Sequence, residues 1–379
     1  MDGLAGKSPV LTWAVNLSVL LLVVIWTIPT FGLLVSSLRD KDQISVSGWW
    51  TALTSTERNT VSRAEAPDTG QVQEGDLWVI RGNVFERGKG EVTAFGFSSR
   101  APAAFKPGET AELKNGAKLT MEADGSFVIA SESKMKGRRG QRVFATTIEP
   151  PIFTTENYRT VLFTEGIGKS FINTLTVTVP STVIPILIAA YAAYALSWME
   201  FPGRALLIAT VVGLLVVPLQ MSLIPILKLY TDVGLGKSYI GIWLAHTGFG
   251  LPLAIYLLRN YISGLPREII ESAKVDGASD FDIFVRIILP LSFPALASFA
   301  IFQFLWVWND LLVATVFLGN NEEQLVMTGR LRELLGSRGG NWEILTASAF
   351  VSIAVPLGVF FSLQRYLVRG LLAGSIKGG

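Results

Sequence analysis

Few residues of this 379-residue chain could carry out chemistry on a bound substrate. The sequence contains no cysteine and a single histidine, His246. Disulfides, thiolate metal sites, cysteine nucleophiles and paired-histidine metal sites are therefore excluded together. No segment has the P-loop pattern G-x-x-x-x-G-K-[ST], so the chain is not itself a P-loop ATPase. We predict no catalytic residues, no metal site and no bound cofactor.

Polar groups within apolar runs are the next candidates. Asn309 and Asp310 follow Trp308 at the end of one such run, and His246 lies within another. An ionisable group in a membrane span is costly and is functional by default. For Asn309 and Asp310 we weigh lining of a pathway against packing and favour packing. We expect His246 to form a hydrogen-bonded contact between helices, since no carboxylate accompanies it in its own run.

The polar segment 266–290 has the pattern of a helix, a turn and a second helix. Pro266 suits the first position of a helix, and Glu268 is favourable in its first turn. Gly277 can adopt the positive φ that ends such a helix.

The second helix of this segment has its own start signal. Ser279 is followed three residues later by Asp282, which predicts a capping box. Phe281 and Phe284 then stand among charged residues. A short amphipathic helix of this kind either anchors at a membrane surface or docks a partner.

Membrane spans must hold these residues. Half of the chain is hydrophobic and only 16% is charged, whereas about 25% is usual in soluble domains. A span needs roughly 20 apolar residues. Uncharged runs of that length cover 8–38, 170–199, 205–227, 238–258, 287–309 and 344–364. The net charge of +2 gives no reason to expect a nucleic acid partner.

Lys and Arg in the short loops predict the orientation, because cytoplasmic loops carry an excess of them. If the N-terminus is cytoplasmic, the inside set is Lys7, Arg204, Arg259, Arg267, Lys274, Arg286, Arg365, Arg369 and Lys377. The outside set is then Lys228, Lys237, Arg330, Arg332 and Arg338. We therefore expect both termini in the cytoplasm. Tyr191, Tyr194 and Trp198 suit an anchor at the inner membrane interface.

The charged residues are concentrated in one region. Residues 38–169 contain 18 of the 32 Lys and Arg and 17 of the 30 Asp and Glu. Short alternating stretches with glycine turns predict a β-rich core at 75–148, entered through a flexible linker at 51–74. We expect three parts: 1–38, with the cytoplasmic N-terminus and first span; 39–169, an extracytoplasmic insert; and 170–379, a five-helix core with the loop 266–290 and a cytoplasmic tail.

The loop 266–290 resembles the EAA loop of importer-type ABC transporter permeases. That motif is Glu-Ala-Ala, three residues, Gly, nine residues, and Ile-x-Leu-Pro. This chain matches its spacing with Glu271, Ser272, Ala273, Gly277, Ile287, Leu289 and Pro290. Serine stands at position 272 where the family usually has alanine, and its small size preserves close packing.

Other segments resemble permeases for carbohydrate uptake. They are Asn173-Thr174-Leu175, Phe201-Pro202-Gly203-Arg204, Trp308-Asn309-Asp310 and the tail 364–378, which is similar to that of the MalG type. Among the MalG-like permeases, a large external insert is a feature of the α-glucoside permeases.

The resemblance implies an all-α membrane protein with the six transmembrane helices of the MetI-like permease fold and a small β-rich extracytoplasmic insert. It implies transport of a sugar, an α-glucoside or a related oligosaccharide, by alternating access across the bacterial inner membrane. The implied partners are a second, different permease subunit of the MalF type, two ATPase subunits, an extracytoplasmic sugar-binding protein and the lipid bilayer.

The resemblance also assigns roles to residues. Those expected to couple to the ATPase are Glu271, Ser272, Ala273, Asp276, Gly277, Phe281, Phe284, Ile287, Leu289 and Pro290. Glu271 and Ala273 would set the packing of the loop, and Gly277 would set its bend. Residues 277–286 would form the coupling helix. Residues 374–377 would also touch the ATPase. Gly339, Gly340, Asn341 and Trp342 would either contact the binding protein or form an ordinary connector.

Three alternatives remain at this point. The first is an importer permease for a non-sugar solute. Only the segments that resemble carbohydrate permeases argue against it. A membrane-embedded enzyme would need a nucleophile and a base that this composition hardly supplies. A secondary transporter would usually have more spans and internal repeats.

Overall fold

The computed structural model describes residues 9–85, 90–337 and 339–373, with the side chains of all of these except 9 and 367–373. The chain forms two compact units. The first runs to Asn157 and includes Gly340–Ala347; we call it the insert unit. The second comprises Tyr158–Gly339 and the chain from Ser348; we call it the bundle unit.

The insert unit begins with a long apolar helix, α1 (Pro9–Ser37), whose side chains are mostly exposed. Its shorter helical elements are α2 (Lys41–Val46), a 3₁₀ turn (Trp49–Thr51) and α3 (Pro67–Gly70). Its strands are β1 (Thr56–Arg63), β2 (Val72–Glu74), β3 (Leu77–Asn83), β4 (Glu91–Gly96), β5 (Thr110–Glu112), β6 (Lys118–Met121), β7 (Ser126–Ser131) and β8 (Arg142–Glu149).

These strands form two antiparallel sheets, in the orders β1-β8-β4 and β2-β3-β7-β6-β5. Along β7, side chains alternate between the core and a less buried face, since successive strand residues point to opposite sides. Phe95, Leu119 and Phe127 lie in the core. Gly125, with φ of +82°, closes the β6–β7 hairpin at the predicted Asp-Gly turn.

The chain enters and leaves these sheets side by side. Arg39 pairs with Phe153 in an isolated antiparallel bridge. The Gln43 amide donates to the carbonyl of Pro150 (2.8 Å) and accepts from the N–H of Ile152 (2.9 Å). Asn157 donates to the carbonyl of Arg39 at 2.9 Å. The buried side chains of Gln43 and Asn157 are thus paired where the two segments meet.

The prediction of a flexible linker at 51–74 is wrong. Strand β1 lies within it and pairs along its whole length with β8, from Thr56 opposite Glu149 to Arg63 opposite Arg142. The segment is rich in polar residues because β1 alternates exposed and half-buried positions. Polar composition alone did not distinguish such a strand from a linker.

The bundle unit is helical. Helix α4 (Glu156–Phe163) leads into it. The helices that follow are α5 (Ile167–Trp198), α6 (Arg204–Leu214), α7 (Leu219–Asp232), α8 (Tyr239–Ile262), α9 (Arg267–Val275), α10 (Asp280–Ile283), a π-helical segment (Phe284–Ile288), α11 (Leu289–Trp308), α12 (Leu312–Phe317), α13 (Met327–Ser337) and α14 (Trp342–Ala373).

Five helices of the described chain are long and apolar enough to cross a membrane. They correspond to predicted spans one, two, four, five and six. The fifth is longer than predicted, because α10, the π-helical segment and α11 form one continuous helix, Asp280–Trp308.

The third predicted span is wrong as a single helix. Helices α6 and α7 meet at a bend of 108°. Pro218 precedes α7, and proline can neither donate a backbone hydrogen bond nor continue a helix from the preceding residue. A hydropathy pattern records the apolar run but not this break.

Hydrogen bonds define the directions of the helices. Near their starts, Tyr239 of α8 donates to the side chain of Asn173 of α5 (3.0 Å). Near their ends, Trp198 of α5 donates to the carbonyl of Ile262 of α8 (3.1 Å). Helices α5 and α8 are therefore parallel, so the chain between them must return from one end of the pair to the other.

The last long helices run in alternating directions. The Tyr261 hydroxyl donates to the carbonyl of Leu291 (3.2 Å), which sets the start of α11 beside the end of α8. Ser298 donates to the carbonyl of Tyr366 in α14 (3.0 Å). The loop 263–288 and the end of α14 consequently lie at the same end of the bundle, which we call the loop end.

Candidate coupling site

The loop 266–290 starts with helix α9, which is capped at its C-terminal end. Pro266 has an extended ψ of 126°, so α9 begins one residue later than predicted, at Arg267. At its other end Gly277 has φ of +81°. The N–H groups of Ala278 and Gly277 donate to the carbonyls of Ala273 and Lys274 at 3.0 and 3.1 Å. This is a Schellman motif, which requires the left-handed conformation that glycine adopts without strain.

The capping box predicted at Ser279 forms only in part: the serine caps the helix, but the Asp282 carboxylate bonds the Ser279 hydroxyl, and among the described residues nothing bonds the Ser279 backbone N–H as a full box would. The Ser279 hydroxyl accepts from the N–H of Asp282 at 3.1 Å and also bonds its carboxylate. Asp280 accepts from the hydroxyl of Tyr194 in α5 at 2.9 Å. The start of the second helix is thereby held against the bundle.

We expected a separate coupling helix at 277–286. Instead, the second helix begins at Asp280 and continues into α11. The π-helical segment Phe284–Ile288 joins α10 directly to α11. A π-helical segment holds an extra residue within an α-helix and often marks a functional position. A displacement of α10 would consequently act along the axis of α11.

Phe284 anchors this region in the bundle. It is 8% exposed, and its ring lies 5.0 Å from that of Tyr191 and 5.8 Å from that of Tyr194. The anchor role predicted for the tyrosines is wrong for Tyr194, which is fully buried. Their spacing of three residues, which aligns them on one face of α5, was the signal for this contact.

A second set of loop residues packs against α5 and α8. Ile270, Ile283 and Ile288 are buried, while Ala273 is half-buried and packs on the same cluster. Glu271 does not pack within this chain. Its side chain is 61% exposed and forms an ion pair with Arg267 at 2.9 Å. Helix geometry explains this, since Ile270 and Ala273 occupy the inner face and Glu271 lies beside it.

The remaining loop positions form an outward face. Ser272, Asp276 and Gly277 are exposed, Val275 is 87% exposed and Phe281 is 64% exposed. Exposed apolar side chains on a fixed frame are typical of an interaction surface.

The last three motif positions of the loop differ in their exposure. Ile287 and Leu289 are half-buried, and Pro290 is exposed at the start of α11. The tail residues 374–377 lie outside the described residues.

Asp310 caps the start of α12. It accepts from the N–H groups of Ala314 (2.9 Å) and Val313 (3.3 Å) at the start of α12, while its carbonyl accepts from Thr328 (2.7 Å). Asn309, in contrast, is exposed and bonds the carbonyl of Leu305 in its own helix at 2.8 Å.

His246 differs from expectation. Both ring nitrogens are buried without a hydrogen-bond partner among the described residues. The nearest acid is Asp310, 3.9 Å from Nε2, and the ring meets Trp306 edge to face at 5.3 Å. The sequence separation of His246 and Asp310 concealed this proximity, since it depends on how α8 and α11 pack.

Of residues 339–342, three precede α14, and Trp342 is its first residue. Gly339 and Gly340 are exposed, Asn341 is half-buried and Trp342 is 56% exposed. The carbonyl of Asn341 accepts from the N–H groups of Ile344 and Leu345 at 3.1 Å, which starts the helix.

The chain resembles known transport proteins over most of its length. Residues 168–372 match the model of the family described as binding-protein-dependent transport system inner membrane component. The α-glucoside transport system permease protein AglG of Rhizobium meliloti (strain 1021) is 72% identical over 378 residues, which are 98% of this chain and 99% of that protein.

Other relatives match the chain in part. The osmoprotective compounds uptake permease protein GgtD of Synechocystis sp. is 59% identical over 62% of this chain and 79% of its own length. A bacterial ABC transporter involved in the import of the acidic polysaccharide alginate has a solved chain that is 25% identical, with a TM-score of 0.48, over 58% of this chain and 81% of that one.

The family match and the two permease relatives agree with the resemblance found in the loop 266–290, where the spacing of Glu271, Gly277 and Pro290 first indicated a permease. The family match covers α5 to α14 and thus includes this loop. The chain therefore belongs to the family of inner membrane components of binding-protein-dependent transport systems, the permease subunits of ABC importers.

Proposed function

We propose that this chain imports α-glucosides or related oligosaccharides as one permease subunit of an ABC importer. The observation that carries the proposal is the loop 266–290, which exposes Val275 and Phe281 on a frame fixed in the bundle. The 72% identity to an α-glucoside permease, over a match that includes the insert, supports the substrate class.

The exposed face of the loop docks on an ATPase subunit. When ATP binding closes the ATPase dimer, the loop moves with it. Two links carry that movement into the bundle: Phe284 pushes on Tyr191 and Tyr194 of α5, and α10 continues into α11. Packed interiors transmit such shifts because they have few voids to absorb them. The pathway then opens to one side of the membrane at a time.

The complete transporter contains four membrane-associated subunits. They are this chain, a second and different permease subunit of the MalF type, and two ATPase subunits. An extracytoplasmic sugar-binding protein delivers the sugar, and residues 339–342 form part of its contact. The exposed Trp342 suits such a contact, since tryptophan is enriched at the energetic centres of interfaces.

The chain crosses the bacterial inner membrane six times, with both termini and the loop end in the cytoplasm. The parallel directions of α5 and α8 support this count, because α6 and α7 must together return across the bilayer as one broken span. Residues 39–169 then lie in the periplasm.

Reconstitution with matched variants tests the proposal. The wild-type four-subunit complex in proteoliposomes should take up maltose or another α-glucoside when binding protein and ATP are supplied. Phe281→Ala should lower uptake and ATPase co-purification about tenfold, as expected when an interface contact worth about 1.4 kcal/mol is lost. Leu335→Ala, which truncates a 62% exposed leucine of α13, is the matched control and should behave as wild type.

Two results would contradict the proposal. One is uptake by this chain without ATPase subunits. The other is a complex that hydrolyses ATP in response to a loaded binding protein but accepts no α-glucoside.

A further inference from the structure

A cavity of about 480 Å³ lies in the bundle unit between α6, α7, α8 and α11. Its volume is within the range of about 300–1,000 Å³ that is usual for small-molecule sites. Most of its lining is aliphatic, with Gln303, Trp306, Tyr230 and Ser222 as the residues that carry polar groups on their side chains.

The cavity lies near mid-membrane depth. Gly250, in its wall, is at the middle of α8 (Tyr239–Ile262). Gln303, also in its wall, donates to the carbonyl of Ser181, near the middle of α5 (Ile167–Trp198). In secondary transporters, substrate sites lie at this depth, at discontinuous helices.

A helix break forms part of the cavity wall. Leu214, Leu215 and Val217, at the bend between α6 and α7, line it. Non-helical backbone at membrane depth is tolerated only where it is buried in protein or lines a water-filled cavity.

Gln303 presents an unused acceptor. Its side chain is 3% exposed, and its amide Nε2 donates to the Ser181 carbonyl at 3.0 Å. Among the described residues no donor bonds its Oε1. A Cβ at Gly250 would come within 2.8 Å of this amide, so the glycine provides the space that the amide occupies. A ligand hydroxyl in the cavity would supply the donor that this acceptor lacks.

Aromatic groups supply the other half of the recognition chemistry. Trp306 is 36% exposed and rests edge to face on the buried His246 ring. Tyr230 contributes a hydroxyl with no hydrogen bond to any described residue, and Phe249 adds a third ring. Aromatic faces with a few placed polar groups match a sugar ring, which has an apolar C–H face and a rim of hydroxyls.

From these observations we infer that the cavity binds one glycosyl unit of the transported sugar within this subunit. Gln303 accepts from a sugar hydroxyl, Tyr230 bonds a second one, and Trp306 packs on the ring. The inference rests on the proposed function, since it names a site for the same substrate.

Cysteine labelling tests occupancy directly, because the native chain has no cysteine. Ser222→Cys places a thiol in the cavity wall, and Thr231→Cys places one on the same helix outside it. In the complex with cysteine-free partners, saturating maltotriose should slow labelling of Ser222→Cys at least fivefold and leave Thr231→Cys unchanged. Labelling slowed equally at both positions, or at neither, would overturn the inference, as would protection by lipid alone.

Transport kinetics give a second readout. Tyr230→Phe and Gln303→Leu should each raise the apparent KM for uptake about fivefold to tenfold, as loss of one hydrogen bond predicts. Phe302→Leu, one residue before Gln303 and outside the cavity lining, should not. If Gln303→Leu prevents assembly, Tyr230→Phe decides, since it removes only a hydroxyl.

The outcomes separate the two proposals. Uptake of α-glucosides by wild type with an unprotected Ser222→Cys and unchanged KM in Tyr230→Phe overturns the cavity site alone. Failure of wild type to take up any α-glucoside overturns the proposed function, and the inference with it.

Discussion

Gly277 shows how one backbone conformation sets the shape of the coupling loop. Its φ of +81° turns the chain from α9 toward α10, and no atom lies within 4 Å of the position where a Cβ would stand. Steric room is therefore available, and the restriction is conformational. Side chains that tolerate the left-handed region should be accepted, whereas β-branched ones should not.

Substitutions at Gly277 should therefore separate by conformation rather than size. Gly277→Val should cost about 1–2 kcal/mol at the turn and uncouple ATP hydrolysis from uptake, with normal membrane insertion. Gly277→Asn should retain most coupling, because asparagine visits this region. The measurement is sugar taken up per ATP hydrolysed in proteoliposomes. Wild-type coupling in Gly277→Val would refute this role.

At the scale of the element, two capped helix ends and a continuous helix make the loop rigid. The Ser279 N-cap starts α10, and the continuous helix that begins there extends to Trp308. Ser272, by contrast, is exposed on α9, and its hydroxyl bonds no described residue. Two serines seven residues apart consequently have different structural importance.

Serine-to-alanine replacements should reveal that difference. Ser279→Ala removes the cap and should destabilise the loop by about 1 kcal/mol. Ser272→Ala, which introduces the usual family residue, should leave stability unchanged or slightly raised, since alanine has the highest helix propensity. Limited proteolysis of the loop in the detergent-solubilised complex measures both. Equal cleavage rates in the two variants would count against the cap.

The stability of the two sheets in the insert unit should depend on their buried side chains more than on their exposed ones. Leu119 of β6 is fully buried, and Val61 of β1 is 57% exposed. Leu119→Ala should destabilise the sheets by about 2–5 kcal/mol, through lost burial and the resulting cavity. Val61→Ala should cost much less. Protease sensitivity of residues 56–149 in membrane vesicles distinguishes the two, and similar sensitivity would mean that β6 is not part of a packed core.

At the scale of the whole molecule, the positions of the loops relative to the membrane decide which partners they can meet. Val275 belongs to the loop end, and Asn115 belongs to an exposed turn of the insert unit. The proposed orientation assigns these positions to opposite sides of the membrane.

Single cysteines test the orientation on this cysteine-free chain. In spheroplasts, a membrane-impermeant maleimide should label Asn115→Cys from outside, and should label Val275→Cys only after the membrane is opened. Ala193→Cys, which is fully buried in α5, should remain unlabelled in both cases. Labelling of Val275→Cys in sealed spheroplasts would reverse the topology.

Much of this protein follows from local sequence. The apolar runs predicted five of the long helices, because a membrane span needs only length and hydrophobicity. The helix start at Ser279 and the turn at Gly277 were predicted, because helix capping depends on residues within a few positions of one another. The spacing of Glu271, Gly277 and Pro290 was enough to indicate the family.

Tertiary structure alone decided the features that join distant residues. The exposure of Glu271, the approach of His246 to Asp310 and the contact of Phe284 with Tyr191 depend on which helix faces meet. The 108° break turned an apparently regular span into a cavity wall. Hydropathy records how apolar a segment is, whereas packing determines which side chain it touches, and contacts between residues far apart in sequence exist only once the helices are assembled.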